Sequence, residues 1–261
     1  AAVGVGAPAL VDGAGVVRFS PHLPGLVGTE LTAGLRSALP GARLWVGNDA
    51  TAACWAEHDR GAAAGADNAV MVTLGTGIGG AAIAGGRLVD GANRYAGEFG
   101  HMVVDPRGPQ CPCGRRGCWE RYASGWGLGV LGREMAVAGR APRLVELAGG
   151  DPEAVRGEHV TAAAAEGDPA AAGTVAQFAW WLALGLANLT AAFDPEVIVV
   201  GGGLVAAGEA LMEPARRAFS DLVEAPAARP DLRIEAAVLG DKAGAIGAGL
   251  LALGAVGTAA I

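Results

Sequence analysis

Lysine is almost absent from this chain of 261 residues, because Lys242 is the only one. The formal net charge is −7, and the basic residues form no run longer than a pair, as at Arg115–Arg116 and Arg216–Arg217. Nucleic-acid phosphates are bound by basic patches, so this composition argues against a nucleic-acid surface. The P-loop pattern GxxxxGK[ST] is absent too, so a phosphate site here would rely on backbone N–H groups, helix dipoles and Mg²⁺.

Aromatic residues make up only 5% of the chain, whereas 52% of the residues are apolar and 44 are glycine. Two charge-free stretches, Val175 to Phe193 and Ala243 to Ile261, approach the roughly 20 residues that a membrane span needs. The first contains Gln177 and Asn188, and the second holds five glycines. We therefore predict two buried core helices and no membrane contact. No targeting segment is visible, which predicts a cytoplasmic protein.

Apolar segments with the periods of strands and helices alternate along the chain, which predicts an α/β fold. Asp12-Gly13 predicts a hairpin turn, and Asp49 is placed to cap a helix. The predicted strands are 1–11, 16–18, 43–47, 69–74, 81–84, 196–200 and 234–238. The predicted helices are 29–39, 50–60, 127–138, 161–166 and 169–192, then one that begins near 205 and continues through 216–223, with a helical tail from 243.

Three of the four cysteines lie close together, and with one histidine they give the pattern H-x9-C-x-C-x4-C over His101, Cys111, Cys113 and Cys118. Zinc prefers four tetrahedral ligands drawn from thiolate and imidazole, so this set predicts a closed structural site. One disulfide with a spare thiol, or simple burial, is the alternative. Neighbouring Cys111 and Cys113 cannot pair easily, and a reducing cytosol favours a metal.

Two glycine turns and one acidic residue follow predicted strands. Glycine turns at residues 75–77 (Gly75, Thr76, Gly77) and 201–203 (Gly201, Gly202, Gly203) can offer backbone N–H groups to phosphate, or can simply permit close packing. Asp49 follows Asn48 at the carboxyl end of a strand, where α/β folds bind ligands. It fits a catalytic base as well as it fits a helix cap.

Two carboxylates flank the predicted zinc site, Glu98 before the histidine and Glu120 after the last cysteine. A carboxylate can accept two hydroxyl protons at once, which suits vicinal hydroxyl groups. The alternatives are a helix N-terminal charge for Glu98 and an ion pair with Arg115 or Arg121 for Glu120.

The stretch 97–125, GEFGHMVVDPRGPQCPCGRRGCWERYASG, closely resembles the signature of the ROK family (repressors, open reading frames and sugar kinases). Its part CPCGRRGCWERYASG is most similar to the glucokinase branch. The resemblance implies a two-domain, actin-like (ribonuclease H-like) α/β sugar kinase. Residues 1–60 plus 245–261 would form the small domain, and residues 61–244 the large domain with a zinc loop at 101–118.

The resemblance also implies the site. Asp49 would deprotonate the 6-hydroxyl of glucose for attack on Mg·ATP, and Asn48, Glu98, His101 and Glu120 would bind the sugar. The 75–77 turn would meet phosphate and sugar, the 201–203 turn would lie against the adenosine, and zinc would be structural. A homodimer or homotetramer is implied as well.

The chain departs from the family pattern in two places. No Asp-x-Gly-Gly-Thr turn, the family's first phosphate loop, occurs in these 261 residues, and Ala9 follows Pro8 where the family usually has glycine. We therefore expect a missing N-terminal segment on the order of 50 residues, weakened ATP binding and an unpaired sheet edge. The alternatives are a sugar-sensing regulator without kinase activity, its effector-binding fragment, or a zinc-stabilised domain without a ligand. The hexose and the donor, ATP or polyphosphate, stay open.

Overall fold

A computed structural model describes residues 1–21 and 23–254 of the chain. His22, predicted to be an ordinary histidine, and the last part of the predicted helical tail and small domain, 255–261, lie outside the described residues. Within the described residues, nine strands and nine α-helices alternate in the order expected of an α/β fold. The α/β class predicted from the sequence is confirmed.

The strands are β1 (Ala2–Ala7), β2 (Leu10–Val11), β3 (Val17–Phe19), β4 (Arg43–Asn48), β5 (Ala69–Leu74), β6 (Ile78–Ala84), β7 (Arg87–Leu88), β8 (Val197–Gly201) and β9 (Arg233–Ala236). The helices are α1 (Leu31–Ala38), α2 (Asp49–Arg60), α3 (Glu120–Ala123), α4 (Gly125–Val137), α5 (Pro142–Leu147), α6 (Gly157–Ala165), α7 (Pro169–Phe193), α8 (Glu209–Leu222) and α9 (Ala243–Leu253).

A five-stranded mixed sheet with the order β7-β6-β5-β8-β9 forms the centre of the fold. Strands β5, β8 and β9 run parallel, β6 pairs antiparallel with β5, and β7 pairs antiparallel with β6. Successive side chains of a strand point to opposite faces. Accordingly Val70 and Val72 of β5 enter one hydrophobic core and Met71 enters another. The sheet is therefore covered on both faces, as parallel strands require.

Helix α7 supplies much of the first core. Asp168 caps its N-terminus by accepting from the Ala171 N–H at 2.8 Å, and Asp194 ends it with φ of 44°. Phe178, Leu182 and Leu186 are fully buried at helical spacing. The helix is long and apolar enough to cross a membrane, yet this face packs on the sheet. That burial agrees with the predicted core helix.

Helices α2 and α9 cover the second face of the sheet and also pack on β1. A Cβ at Gly247 of α9 would overlap the carbonyl of Ala52 in α2, and one at Gly4 would overlap the carbonyl of Ala248. Glycine is therefore needed where these elements cross. Strand β1 pairs in parallel with β4 over a small separate core that includes Val17. The division into two domains stays a prediction.

Several element boundaries differ from the predictions; strand β6, for example, begins at Ile78 and not at 81. The predicted strand 1–11 is broken at Pro8–Ala9 into β1 and β2. Helix α6 begins at Gly157 and not at 161, because the His159 ring accepts the Arg156 N–H at 3.2 Å. Helix α4 begins at Gly125, since the Ser124 hydroxyl accepts from the Gly127 N–H. Helix α5 was not predicted, because six residues are too few to display a helical period.

Candidate active site

Strands β1, β4, β5 and β8 end on the same side of the molecule, and their carboxyl ends begin the site. At the end of β4, the Asn48 side-chain oxygen accepts from the N–H groups of Ala50 at 2.8 Å and Thr51 at 3.1 Å. Asn48 therefore caps α2, and the prediction that Asp49 is the cap is wrong. The Asp49 carboxylate makes one local contact, with the Ala50 N–H at 2.9 Å, and faces a cavity.

The four predicted metal ligands lie together. Their donor atoms, from His101, Cys111, Cys113 and Cys118, are all within 4.8 Å of one another. The sulfurs of Cys113 and Cys118 are 3.6 Å apart, close to the roughly 3.8 Å edge of a tetrahedron with 2.3 Å zinc–sulfur bonds. The spacing and chemistry of these four donor atoms fit zinc. All four cysteines are free thiols, so a zinc site agrees with the structure better than the alternative of one disulfide with a spare thiol.

Burial raises the pKa of Cys118 to about 12 and raises the pKa of Cys111 as well. Both thiols would keep their protons at neutral pH without a cation, and a bound metal ion displaces such protons. Gly117 makes the loop possible, since its φ is 68° and a Cβ there would overlap the Asp105 carbonyl. The loop therefore requires glycine at this position.

His101 lies between the three cysteines and the cavity. Its Nδ1 lies 3.7 Å from the Cys111 sulfur, and its Nε2 lies 3.8 Å from a carboxylate oxygen of Glu98. Glu98 immediately precedes a 3₁₀ helix (Phe99–His101), and its side chain makes no cap to that helix. Burial raises the pKa of Glu98; the Glu120 and Asp49 carboxylates add to this rise, while His101 opposes it. The three acidic groups therefore share one electrostatic environment.

Glu120 begins α3 and accepts from the N–H of Ile78 at 3.0 Å, across 42 positions of sequence. Among the described residues it forms no ion pair, so the alternative of a pair with Arg115 or Arg121 is wrong. The Glu120 carboxylate fills the space where Gly77 lacks a side chain. This contact places it beside the 75–77 turn.

Trp119 anchors Glu120 in the fold, and sequence reasoning missed it. The indole is fully buried and donates from Nε1 to the carbonyl of Trp181 at 2.7 Å. A Cβ at Gly185 of α7 would overlap that indole, so the glycine provides its pocket. The position of the tryptophan between the last cysteine and Glu120 is the one signal that could have indicated this role.

One cavity of about 400 Å³ brings together the predicted sugar and base residues. It also includes apolar residues of the β2–β3 hairpin, which the sequence did not predict. The predicted residues that line it are Asn48, Asp49, Gly75, Thr76, Gly77, Glu98, His101, Glu120 and Gly202.

A second cleft of about 840 Å³ meets the first at Gly75 and Thr76. Trp126 lines it, and the Arg121 guanidinium lies 3.3 Å from the centre of the Trp126 ring. Arg156 lines it too, and neither residue was predicted. Trp126 directly follows the first residue of α4, and its place just after the resembling stretch is the signal that could have marked it.

The triple glycine lies where the cavities adjoin. All three glycines line a third cavity of about 630 Å³ with Asp49 and Asp241, while Gly203 also lines the 840 Å³ cleft and Gly202 the 400 Å³ cavity. Gly202 has φ of 86°, and a Cβ there would overlap the backbone of Leu74, so close packing explains this glycine. Space is open above Gly203. The packing alternative therefore holds at Gly202, and the ligand hypothesis for this turn stays a prediction.

Comparison with known proteins finds one family model and several similar glucokinases. A family model described as the ROK family matches residues 1–255. A glucokinase from Streptomyces coelicolor is 39% identical over 254 residues, covering 96% of this chain and 80% of that protein. One from Thermotoga maritima is 36% identical over 247 residues, covering 94% and 77%.

Solved structures agree with these relatives. A crystal structure of a ROK family glucokinase from Streptomyces griseus, in complex with glucose and AMPPNP, has a TM-score of 0.88 at 39% identity and covers 97% of this chain and 81% of that one. A ROK family transcriptional regulator, described as a homologue of the E. coli MLC protein, has a TM-score of 0.77 at 28% identity, with 94% and 60% covered.

Proposed function

This chain belongs to the ROK family, and on that premise we propose that it is a glucokinase, which transfers the γ-phosphoryl group of ATP to the 6-hydroxyl of glucose. Its α/β, actin-like fold is that of the ROK sugar-kinase structures to which it is similar. The observation that carries the proposal is the junction of two cavities at Gly75 and Thr76. One holds the acidic residues suited to a hexose, and the other is large enough for a nucleotide.

In the smaller cavity, Glu98 and Glu120 would accept hydrogen bonds from sugar hydroxyls, and the His101 Nε2 adjoins the same space. The Ile78 N–H holds Glu120 before the sugar arrives, so little order has to be created on binding. Asn48 would contribute its amide. Carboxylates that accept from vicinal hydroxyls select polyols over apolar ligands of similar size.

Asp49 would act as the base that removes the proton of the attacking hydroxyl. Because Asn48 caps α2, the Asp49 carboxylate is not engaged by the N–H groups beyond Ala50. It lines both the sugar cavity and the third cavity beside the triple glycine. Phosphoryl transfer depends mainly on such positioning and on charge stabilisation.

The nucleotide would occupy the 840 Å³ cleft, with its phosphates toward the 75–77 turn and its base near Trp126 and Gly203. Mg²⁺ would be held mainly by phosphate oxygens and water, as is usual for this ion. Asp241, which lines the third cavity with Asp49, is a carboxylate available to it.

Zn²⁺ would be held by His101, Cys111, Cys113 and Cys118. With four protein ligands the coordination is closed, so the ion would stiffen the loop and leave no position for reactive water. The loop carries His101 and leads into Glu120, so we expect chelation to abolish glucose binding together with activity. Unchanged glucose affinity in a folded, metal-free sample would refute this dependence.

The decisive assay measures ADP and glucose 6-phosphate formed from Mg·ATP and glucose, with Asp49→Asn as the matched variant. Loss of the base should lower kcat by about 10²- to 10⁴-fold, and glucose affinity measured by calorimetry should change little. Glucose binding without phosphoryl transfer in the unaltered chain would favour the sugar-sensing regulator. No glucose-dependent rise in Tm would favour a domain without this ligand. A homodimer or homotetramer and a cytoplasmic location stay predictions.

A further inference from the structure

One wall of the sugar cavity is apolar. It consists of five residues of the β1–β2–β3 segment, which we call the hairpin wall: Pro8, Ala9, Leu10, Phe19 and Pro21. The carboxylates that would bind hydroxyls come from other elements, the α2 start and the metal loop. The cavity therefore combines carboxylates from the start of α2 and the metal loop with a hydrocarbon surface from the hairpin wall.

Phe19 is the aromatic residue of this wall, and strand geometry explains its position. Side chains two residues apart in a strand lie on the same face. Val17 is fully buried in the small core of this segment, whereas Phe19, two residues later, is 40% exposed and lines the cavity. An exposed phenylalanine thus lies beyond the edge of its own core and lines the cavity that also contains the acidic residues.

Several contacts hold the hairpin wall in place without any ligand. Phe19 pairs with Leu10 across the two strands, and both line the cavity. The next residue, Ser20, is 3% exposed; its hydroxyl donates to the Pro8 carbonyl at 2.9 Å and accepts from the Leu23 N–H at 3.1 Å. The Phe19 backbone is therefore fixed on both sides.

We propose that Phe19 is a specificity-determining residue, whose ring packs on the C–H face of the bound hexose. This inference rests on the proposed function, since it concerns the sugar of that same cavity. Aromatic rings offer a large, rigid apolar surface at a low cost in side-chain entropy. The carboxylates of Glu98 and Glu120 would bind the hydroxyl groups at the edge of the hexose, and the Phe19 ring would discriminate between sugars by its contact with one face of the hexose ring.

Sugar stereochemistry gives this contact its selectivity. In the chair of β-glucopyranose the ring hydroxyls are equatorial, so axial hydrogens cover both faces. Mannose carries an axial hydroxyl at C2 on one face, and allose carries one at C3 on the other face. A hydroxyl turned against the Phe19 ring would be buried without a hydrogen-bond partner, which is unfavourable. Whichever face meets Phe19, one of these two epimers is disfavoured by it.

The size of the effect follows from the exposed area. A phenylalanine offers about 150–250 Å², and covering the exposed two-fifths removes roughly 60–100 Å² of apolar surface from water. Phe19→Ala should therefore raise the glucose dissociation constant about ten- to seventyfold. Phe19→Leu should show a smaller rise, and Phe19→Tyr should stay within about threefold of the unaltered protein. Discrimination against the disfavoured epimer should fall in parallel in Phe19→Leu.

Calorimetry with glucose, mannose and allose, and steady-state kinetics with each sugar, test the proposal on the whole chain. Trp180→Ala is the matched control, since Trp180 is an aromatic residue 43% exposed on α7, outside this cavity. The expected result is higher KM for glucose with kcat nearly unchanged in Phe19→Ala, and no change in Trp180→Ala.

Each outcome separates the two hypotheses. Glucose affinity within twofold of the unaltered protein in Phe19→Ala, with activity present, overturns the role of Phe19 and leaves the kinase proposal standing. Weakened glucose binding in that variant, with no phosphoryl transfer by the unaltered chain, supports Phe19 and overturns the kinase proposal. No binding of any of the three sugars by the folded unaltered chain overturns both.

Discussion

Gly77 makes room for Glu120, and replacing it with alanine should therefore weaken sugar binding. A Cβ at position 77 would overlap the Glu120 carboxylate oxygen that accepts from the Ile78 N–H at 3.0 Å. The added methyl group would push the Glu120 side chain away, because a side chain can rotate more easily than the backbone of the 75–77 turn can move. Gly77→Ala should thus displace the carboxylate of Glu120, a proposed sugar-binding residue, without changing that residue.

The magnitude follows from the lost contact. A hydrogen bond to a charged acceptor contributes about 1.5–3 kcal/mol, and a factor of ten in affinity corresponds to about 1.4 kcal/mol. If the displaced carboxylate loses hydrogen bonds to the sugar hydroxyls that contribute a comparable free energy, the glucose dissociation constant should rise at least about tenfold and up to about 150-fold. The free energy of unfolding should fall by less, because the released carboxylate can reach water.

Calorimetric glucose binding and the KM for glucose measure the effect, and circular dichroism checks the fold. Gly173→Ala in α7 is the control for the glycine-to-alanine change itself, since a Cβ there meets nothing within 4 Å. Glu120→Gln provides the comparison with loss of charge alone. A Gly77→Ala variant with glucose affinity within twofold of the unaltered protein would refute the steric reasoning.

Three further predictions concern the thiols, the core and the nucleotide cleft. A thiol reagent at pH 8 should label none of the four cysteines in the metal-loaded protein. After chelation it should label Cys113, the one partly exposed thiol among the described residues, and it should reach Cys54, Cys111 and Cys118 only on unfolding, because burial raises the pKa of these three thiols and keeps them protonated. Gly185→Ala should push against the buried indole of Trp119 and cost about 1–3 kcal/mol, lowering Tm by roughly 2–12 °C in a scanning calorimeter. Trp126→Ala should raise the KM for ATP about two- to tenfold, with unchanged glucose affinity.

Each of these has an internal check. Early labelling of Cys54 in a folded sample would contradict its burial, and a Cys54→Ala variant should show three reactive thiols after both chelation and unfolding. A Tm for Gly185→Ala equal to that of Gly173→Ala would mean that no steric overlap exists. A Trp126→Ala variant with an unaltered KM for ATP would exclude the ring from the nucleotide site.

The cluster of His101 with three cysteines and the ends of some strands could be predicted from the sequence, because both are local features. His101, Cys111, Cys113 and Cys118 fall within one loop, and the loop's own turns bring the donor atoms within 4.8 Å. Strand β5 was predicted with its observed ends, since a short apolar run stops at a glycine turn. Helix α2 was predicted as well, although its cap was assigned one residue too late.

Tertiary packing decided which side chains face one another. Glu120 reaches Ile78, Trp119 fills the gap at Gly185, and Phe19 enters a cavity formed mainly by residues 29 or more positions away. Such contacts depend on how helices and sheets stack, and no short-range spacing encodes that arrangement. The sequence by itself determined the clustering of one histidine with three cysteines, the flanking acidic residues and the α/β order, since chain connectivity over a few residues fixes them. Only the folded structure decided that the acids share a cavity with an aromatic wall, because that cavity exists where separate elements meet.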